Sequence, residues 1–217
     1  MKTPFTTEQF FSVFEQYNQA VFPAQLVIFL LALLCVALLH SKITFKDKLV
    51  GSFIGFLWIW TGAVYHIGFF AVINPIARIF GALFILEGLL ILFSTFKNRL
   101  HFPVNHLVTD YLGYFFILFG GLLYPLIGLA IHIEPAQTIS LGLPCPTGIL
   151  TFGLFMLARK QFPMYLIIIP VLWAIVGLFA AINFGVYQDF MLIISAVSAL
   201  FLIYAGKKNL LKYESYS

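Results

Sequence analysis

The sequence predicts an all-α membrane protein, a polytopic bundle of seven transmembrane helices. Its 217 residues are 62% hydrophobic and only 9% charged, whereas soluble domains average about 45–50% apolar and about 25% charged residues. Seven apolar runs are near the length of about 20 residues that a spanning helix needs. Positive charge recurs in every second gap between these runs. Length and composition therefore predict the class, and the charge pattern predicts an orientation.

The apolar runs define the predicted spans in chain order. They are residues 22–39, 49–70, 76–96, 107–130, 139–158, 163–183 and 189–206. Residues 22–206 are thus predicted to form the transmembrane bundle. Residues 207–217 would then form a short tail.

The placement of Lys and Arg predicts the topology. Of the twelve such residues, all except Lys2 and Arg78 lie in alternate gaps or in the tail. They are Lys42, Lys46, Lys48, Lys97, Arg99, Arg159, Lys160, Lys207, Lys208 and Lys212. Short loops rich in Lys and Arg stay on the cytoplasmic side. We therefore predict an N-out/C-in protein whose tail is cytoplasmic.

The first predicted domain is an amphipathic segment, residues 1–21. Phe10, Phe11, Phe14 and Tyr17 follow helical spacing, and polar residues occupy the other side. Thr6 or Thr7 is the type of residue that caps a helix start. We predict a helix that lies in the outer membrane interface; the alternative is a frayed polar tail.

The fifth span is predicted to be broken by the sequence Pro144-Cys145-Pro146. The two prolines remove backbone donors and disfavour helix before them. A helix over 147–158 would be only about 18 Å long, too short for a hydrocarbon core of about 30 Å. Either 139–146 complete the span as irregular backbone, or the segment dips into the membrane. Irregular backbone at that depth must be buried in protein or line a cavity.

Small residues recur at the spacing of helix contacts. They are Gly51 and Gly55, Gly113 with Gly120 and Gly121, and Gly177 with Ala181. Such residues let two helices approach closely in a membrane. We predict packing roles for them.

Several function classes are disfavoured by the sequence. The net charge of +4 is distributed over separate helix ends, which does not resemble a nucleic-acid-binding stripe. Cys35 and Cys145 lie at different predicted depths, so a disulfide is not expected. Neither C-x-x-C nor a zinc-binding histidine spacing occurs. We predict no metal and no cofactor; the expected partners are the lipid bilayer and a small solute.

Polar side chains gather near the predicted outer face. Tyr65 and His66 end the second span, Tyr124 ends the fourth, and Asp189 opens the seventh. Polar groups inside a bilayer are costly and usually face the bundle interior. The candidate substrate-binding residues are Gln25, His66, Asn74, Arg78, Glu87, Cys145, Thr147 and Asn183. No residue is predicted to be catalytic.

Glu87 is the deepest of these candidates. It follows Pro75 by twelve positions, hence about 18 Å further into the membrane, near or past the midplane. It is either a proton or cation site, or a protonated or hydrogen-bonded glutamate that locks two helices together.

Three other candidates also have competing interpretations. His66 either titrates, binds a metal or haem, or pairs with a carboxylate, or it is a packed hydrogen-bonding residue. Arg78 either reaches the outer headgroups, pairs with Glu134 or Asp189, or binds an anionic solute. Cys145 precedes a predicted helix start, where thiolates and anions are favoured. It belongs either to a reactive or anion-binding turn, or to a rigid turn that caps a short helix.

Three runs of the sequence form motifs. They are Tyr65-His66-x-x-Phe69-Phe70-x-x-Ile73-Asn74-Pro75, Gly142-x-Pro144-Cys145-Pro146-Thr147-x-x-x-Thr151-x-Gly153 and Leu172-Trp173-x-x-x-Gly177-x-x-Ala180-Ala181. The chain resembles, over nearly its whole length, an uncharacterised bacterial multipass family known as domain of unknown function six-zero-six-four. The resemblance implies a bacterial membrane protein of six to seven helices. It implies no activity.

We therefore predict an integral protein of a bacterial cytoplasmic (inner) membrane. The leading hypothesis is a small-solute transporter or permease-like protein with an outer-facing polar cavity, walled by the candidate residues with Glu87 below. The alternatives are a membrane-embedded enzyme or redox protein that uses His66 and Cys145, and a structural or accessory protein without a small-molecule site.

Overall fold

The computed structural model describes residues 4–103, 108–131, 134–158 and 162–214, with backbone alone at 108–109 and 205–214. The described residues are 82% helical and contain no strand, so the predicted all-α class is confirmed. Arg159 and Lys160 of the charge pattern lie outside the described residues, as does Lys2. The side chains of the predicted tail also lie outside them.

Nine α-helices follow one another in the described ranges. They are α1 (Thr7–Val21), α2 (Ala24–Leu39), α3 (Lys46–Trp60), α4 (Ala77–Phe96), α5 (Val108–Leu118), α6 (Tyr124–Ala130), α7 (Pro144–Leu157), α8 (Ile168–Phe184) and α9 (Phe190–Glu214). A π-helical segment, Thr61–Phe69, and a 3-10 turn, Phe70–Val72, continue α3. Another π-helical segment, Phe119–Leu123, joins α5 to α6.

Five helical stretches in the described ranges are long and apolar enough to cross a membrane. They are Lys46–Val72, Ala77–Phe96, Asp110–Ala130, Met164–Phe184 and Tyr187–Tyr204. These match the second, third, fourth, sixth and seventh predicted spans. Helices α1 and α2 meet at 84° and would add a sixth span if the bent pair counts as one. The prediction of seven spans is not confirmed, because α2 has only 16 residues and α7 only 14.

Helix α7 is the central helix of the bundle. All of its 14 residues are buried, and it packs against α3, α5, α8 and α9. The helix begins at Pro144, three residues before the predicted start at Thr147. Proline is tolerated in the first turn because the N–H that it lacks has no partner there in any helix. The Pro-Cys-Pro sequence thus begins α7.

The segment before α7 is irregular and largely buried only as far as Leu143, because residues 144–146 of the stretch predicted to be irregular are helical. Whether it completes a span or dips into the membrane stays a prediction. Gly142 has a φ of +92°, in the left-handed region that favours glycine. Its carbonyl lies 3.2 Å from both the Tyr17 and the Thr61 hydroxyls, which donate to it. Its N–H donates to Thr147 Oγ1 at 3.3 Å. Side chains of α1, the π-helical segment and α7 therefore satisfy the buried N–H and carbonyl of Gly142.

Glycines bring two pairs of helices into close contact. A Cβ on Gly88 of α4 would lie 2.6 Å from the Gly55 carbonyl oxygen of α3. A Cβ on Gly153 of α7 would lie 2.7 Å from the Gly113 carbonyl oxygen of α5. The predicted packing roles of Gly55 and Gly113 are confirmed. The role predicted for Gly121 is wrong, since no atom lies within 4 Å of its would-be Cβ.

Helix α1 has the predicted amphipathic pattern. Thr6 is its N-cap and forms a capping box with Gln9, so the alternative of a frayed tail is wrong. Its buried face packs on the bundle: Phe10 stacks on Phe184 with ring centroids 4.4 Å apart. The pattern alone did not reveal this contact, because a protein surface and a lipid surface favour the same apolar stripe. The position of α1 in a membrane interface stays a prediction.

Candidate functional site

A cavity of about 180 Å³ lies beneath α1. Phe10 and Phe14 of α1 form one wall. Other aromatic rings come from the end of the α3 span, from α4 and from α8: Tyr65, Phe70, Phe80, Trp173 and Phe184. The cavity therefore has aromatic and apolar walls over most of its surface, which differs from the predicted polar cavity.

A polar cluster occupies the wall where three elements meet. Asp189 lies in the 3-10 turn that precedes α9 and is only 2% exposed. The Tyr124 hydroxyl, at the start of α6, donates a hydrogen bond to its carboxylate. The Cys145 thiol, in the first turn of α7, lies close enough to the carboxylate to interact with it. Burial of a carboxylate is costly without such partners, so the cluster fixes these three side chains together.

Trp173 of α8 adds a buried donor to the cavity wall. Its side chain is 9% exposed, and its indole N–H has no hydrogen-bond partner of ordinary geometry in the described part of the chain. The Cys145 thiol is close enough to interact with it but does not satisfy that geometry. Buried donors are usually satisfied, and the Cys145 thiol is the polar group that lies beside this one.

His66 lies in the π-helical segment and is completely buried. Neither ring nitrogen has a hydrogen-bond partner among the described residues. Its nearest rings are Phe84 and Trp173, with centroids 4.7 and 5.0 Å away. It does not line the cavity, but it contacts lining rings, among them Trp173 and Tyr65. Since π-helical segments are frequent at functional sites, a role for His66 remains a prediction.

Glu87 is buried within the bundle on α4, one turn after Phe84. Both carboxylate oxygens lack a hydrogen-bond partner in the described ranges. The alternative of a glutamate hydrogen-bonded across two helices therefore finds no support. Glu87 does not line the cavity, and its predicted role as a proton or cation site is untested.

The other candidates divide between the cavity and its surroundings. Asn74 and Asn183 line the cavity. The Asn74 side chain accepts from the Ile76 N–H at 3.3 Å, and the Asn183 amide donates to the Phe179 carbonyl at 2.7 Å. Both are therefore bonded to their own local backbone.

Three candidates lie away from the cavity. Thr147 bonds Gly142 in the buried segment described above. Gln25 donates to the Asn18 carbonyl at 3.0 Å and so joins α2 to α1. Arg78 is exposed near the start of α4. The structure thus brings together Asn74, Cys145 and Asn183, and leaves the remaining five predicted residues outside the cavity lining.

A comparison with known families matches residues 7–211 to DUF6064, a family of unknown function. The chain belongs to this family. No curated protein and no solved structure matches the chain. DUF6064 is a family of unknown function, so membership does not indicate an activity. The function is therefore inferred from the cavity.

In this DUF6064 member, sequence reasoning missed four polar lining residues as site residues. Tyr65, Tyr124 and Asp189 belong to the predicted outer polar group but are not among the predicted binding residues. The sequence did contain an indication, since each lies where a predicted span begins or ends. Trp173 had no signal, because a tryptophan in an apolar helix is usual for packing.

The described residues of this DUF6064 member hold no group of three His, Cys, Asp or Glu side chains able to bind a metal ion. Cys35 and Cys145 are both buried and free of disulfide bonds. Cys145 is thus a thiol in the cavity wall, and Cys35 is a second buried thiol at a distance from it on α2.

Proposed function

We propose that the chain is an integral membrane protein that binds a small solute in the cavity beneath α1 and carries it as a transporter or permease-like protein. The single observation that carries the proposal is the aromatic cavity with the Asp189 cluster in its wall. Ligand sites are typically concave and mostly apolar, with a few polar groups that fix orientation. The five long apolar helices support a membrane location.

The finer topology belongs to the same proposal. The charge alternation supports an N-out/C-in chain in a bacterial cytoplasmic membrane. In this arrangement α7 and the irregular segment before it form the fifth membrane-embedded element, enclosed by longer helices. Broken helices of this kind commonly build transporter binding sites, and irregular backbone is tolerated when protein surrounds it.

A membrane-embedded enzyme is the second candidate, favoured by the proximity of the Cys145 thiol to the Asp189 carboxylate. It is the weaker one, since both His66 nitrogens lack partners in the described ranges and so make no pair with Cys145. A purely structural protein is disfavoured by the cavity.

Alternating access is testable without knowing the solute, because Cys145 lies in the cavity wall. In a Cys35→Ala background, Cys145 is treated with a membrane-impermeant methanethiosulfonate reagent in right-side-out and in inside-out vesicles. A carrier opens its site to each side in turn, so we expect modification from both sides, measured by mass spectrometry.

The matched control is Cys145→Ala, which keeps only Cys35 and should stay unmodified. Modification of Cys145 from one side alone, or from neither, would contradict a carrier.

A further inference from the structure

Aromatic rings make up much of the cavity lining, and some of them stack on each other, as Phe10 does on Phe184 and Phe14 on Tyr65. Tyr65, Phe70, Phe80, Trp173 and Phe184 surround it together with rings of α1. The face of an aromatic ring carries negative electrostatic potential. A cation over such a face gains about 0.5–1 kcal/mol at exposed sites and about 2 or more when water is excluded.

The wall combines an acidic side chain with no basic one. Asp189 is the acidic residue of the lining, and no Lys, Arg or His among the described residues lines the cavity. Cys145 lies in the first turn of α7, so the positive end of that helix offsets part of the Asp189 charge. The remaining potential adds to that of the rings and disfavours an anion.

Hydrogen-bonding capacity in the wall is limited. The Asp189 carboxylate already accepts from Tyr124, and the Asn74 and Asn183 side chains of the lining are each bonded to local backbone. A ligand with many N–H donors would find few acceptors, whereas a cation wrapped in alkyl groups needs none.

From these three features we infer that the cavity selects a small organic cation of the alkylammonium class, held by aromatic faces and by the negative potential of Asp189. The inference rests on the proposed function, since it names the solute class of the same cavity. A neutral apolar solute of the same shape would fill the volume but gain nothing from Asp189 or from the ring quadrupoles.

A pair of probes that differ only in charge tests this inference. Choline and 3,3-dimethylbutan-1-ol have the same shape, with a quaternary carbon in place of the charged nitrogen in the alcohol. Binding of each to purified protein in lipid nanodiscs is measured by saturation-transfer NMR. We expect choline to bind about tenfold more tightly, as one or two desolvated cation–π contacts imply. Equal binding, or tighter binding of the alcohol, would overturn the inference.

Variants locate the preference within the cavity. Asp189→Asn should reduce the preference for choline, whereas the control Glu134→Gln, at an exposed acidic residue, should keep it. If Asp189→Asn does not fold, Phe184→Leu provides the second test. It removes one ring of the lining and should weaken choline more than the alcohol. Phe201→Leu, 69% exposed on α9, should change neither. An unchanged preference in both cavity variants would overturn the inference.

Failure of this inference is distinguishable from failure of the proposed function. If choline shows no preference while Cys145 is modified from both sides of the membrane, the cavity belongs to a carrier of another solute class. If Cys145 is not modified from both sides, the carrier itself is excluded.

Discussion

The peptide group of Gly142 shows how single residues hold the interior of this protein together. Hydroxyl groups of Tyr17 and Thr61 donate to its carbonyl, and Thr147 accepts from its N–H. Tyr17 in turn accepts from Trp60 Nε1 at 2.8 Å. The side chain of Thr147, which the sequence predicted as a binding residue, instead accepts the hydrogen bond from the Gly142 N–H. Its polarity indicated burial correctly but did not distinguish a structural partner from a ligand-binding one.

Gly142→Ala is therefore expected to destabilise the fold. The residue has a φ of +92°, and an added Cβ would lie 3.0 Å from the Tyr17 hydroxyl. A residue held in an unfavourable backbone region costs about 1–3 kcal/mol, which should lower the thermal unfolding temperature of the purified protein in detergent. The matched control is Gly121→Ala, which has open space around its Cβ. Equal unfolding temperatures for the two variants would contradict this account.

At the scale of elements, α1 and α7 are where the sequence was least informative. Long apolar helices are recognisable because a span needs about 20 apolar residues, and five of them were found by that rule. The burial of α7 on all sides could not be predicted, because lipid and protein surroundings favour the same apolar residues in a helix. The stacking of α1 on the bundle was missed for the same reason.

The position of α1 predicts that it limits access to the cavity. Phe14 stacks on Tyr65 with centroids 5.6 Å apart, and both rings line the cavity. Phe14→Ala should open this wall and speed the modification of Cys145 by a thiol reagent in the Cys35→Ala background. Gln16→Ala, on the exposed side of α1, serves as the control. An unchanged rate for Phe14→Ala would show that solutes reach the cavity by another route.

At the scale of the whole molecule, the sequence predicted the helical class and the polar group near the span ends, but not the cavity. Asn74, Cys145 and Asn183 were found because polar residues stand out in an apolar chain. Trp173 was not predicted, because aromatic residues occur both in the walls of cavities and in ordinary packed cores. Which rings leave a space between them depends on helix packing, and packing is set by contacts far apart in the chain, such as that between Gly113 and Gly153.

The central claim is that this cavity is a solute site, and protection of Cys145 tests it most directly. The rate of Cys145 modification in the Cys35→Ala protein is measured with increasing choline, with 3,3-dimethylbutan-1-ol as the matched neutral probe. We predict that choline slows the modification in a saturable manner and that the alcohol slows it less. A rate that stays the same at the highest concentration of both probes would contradict the claim.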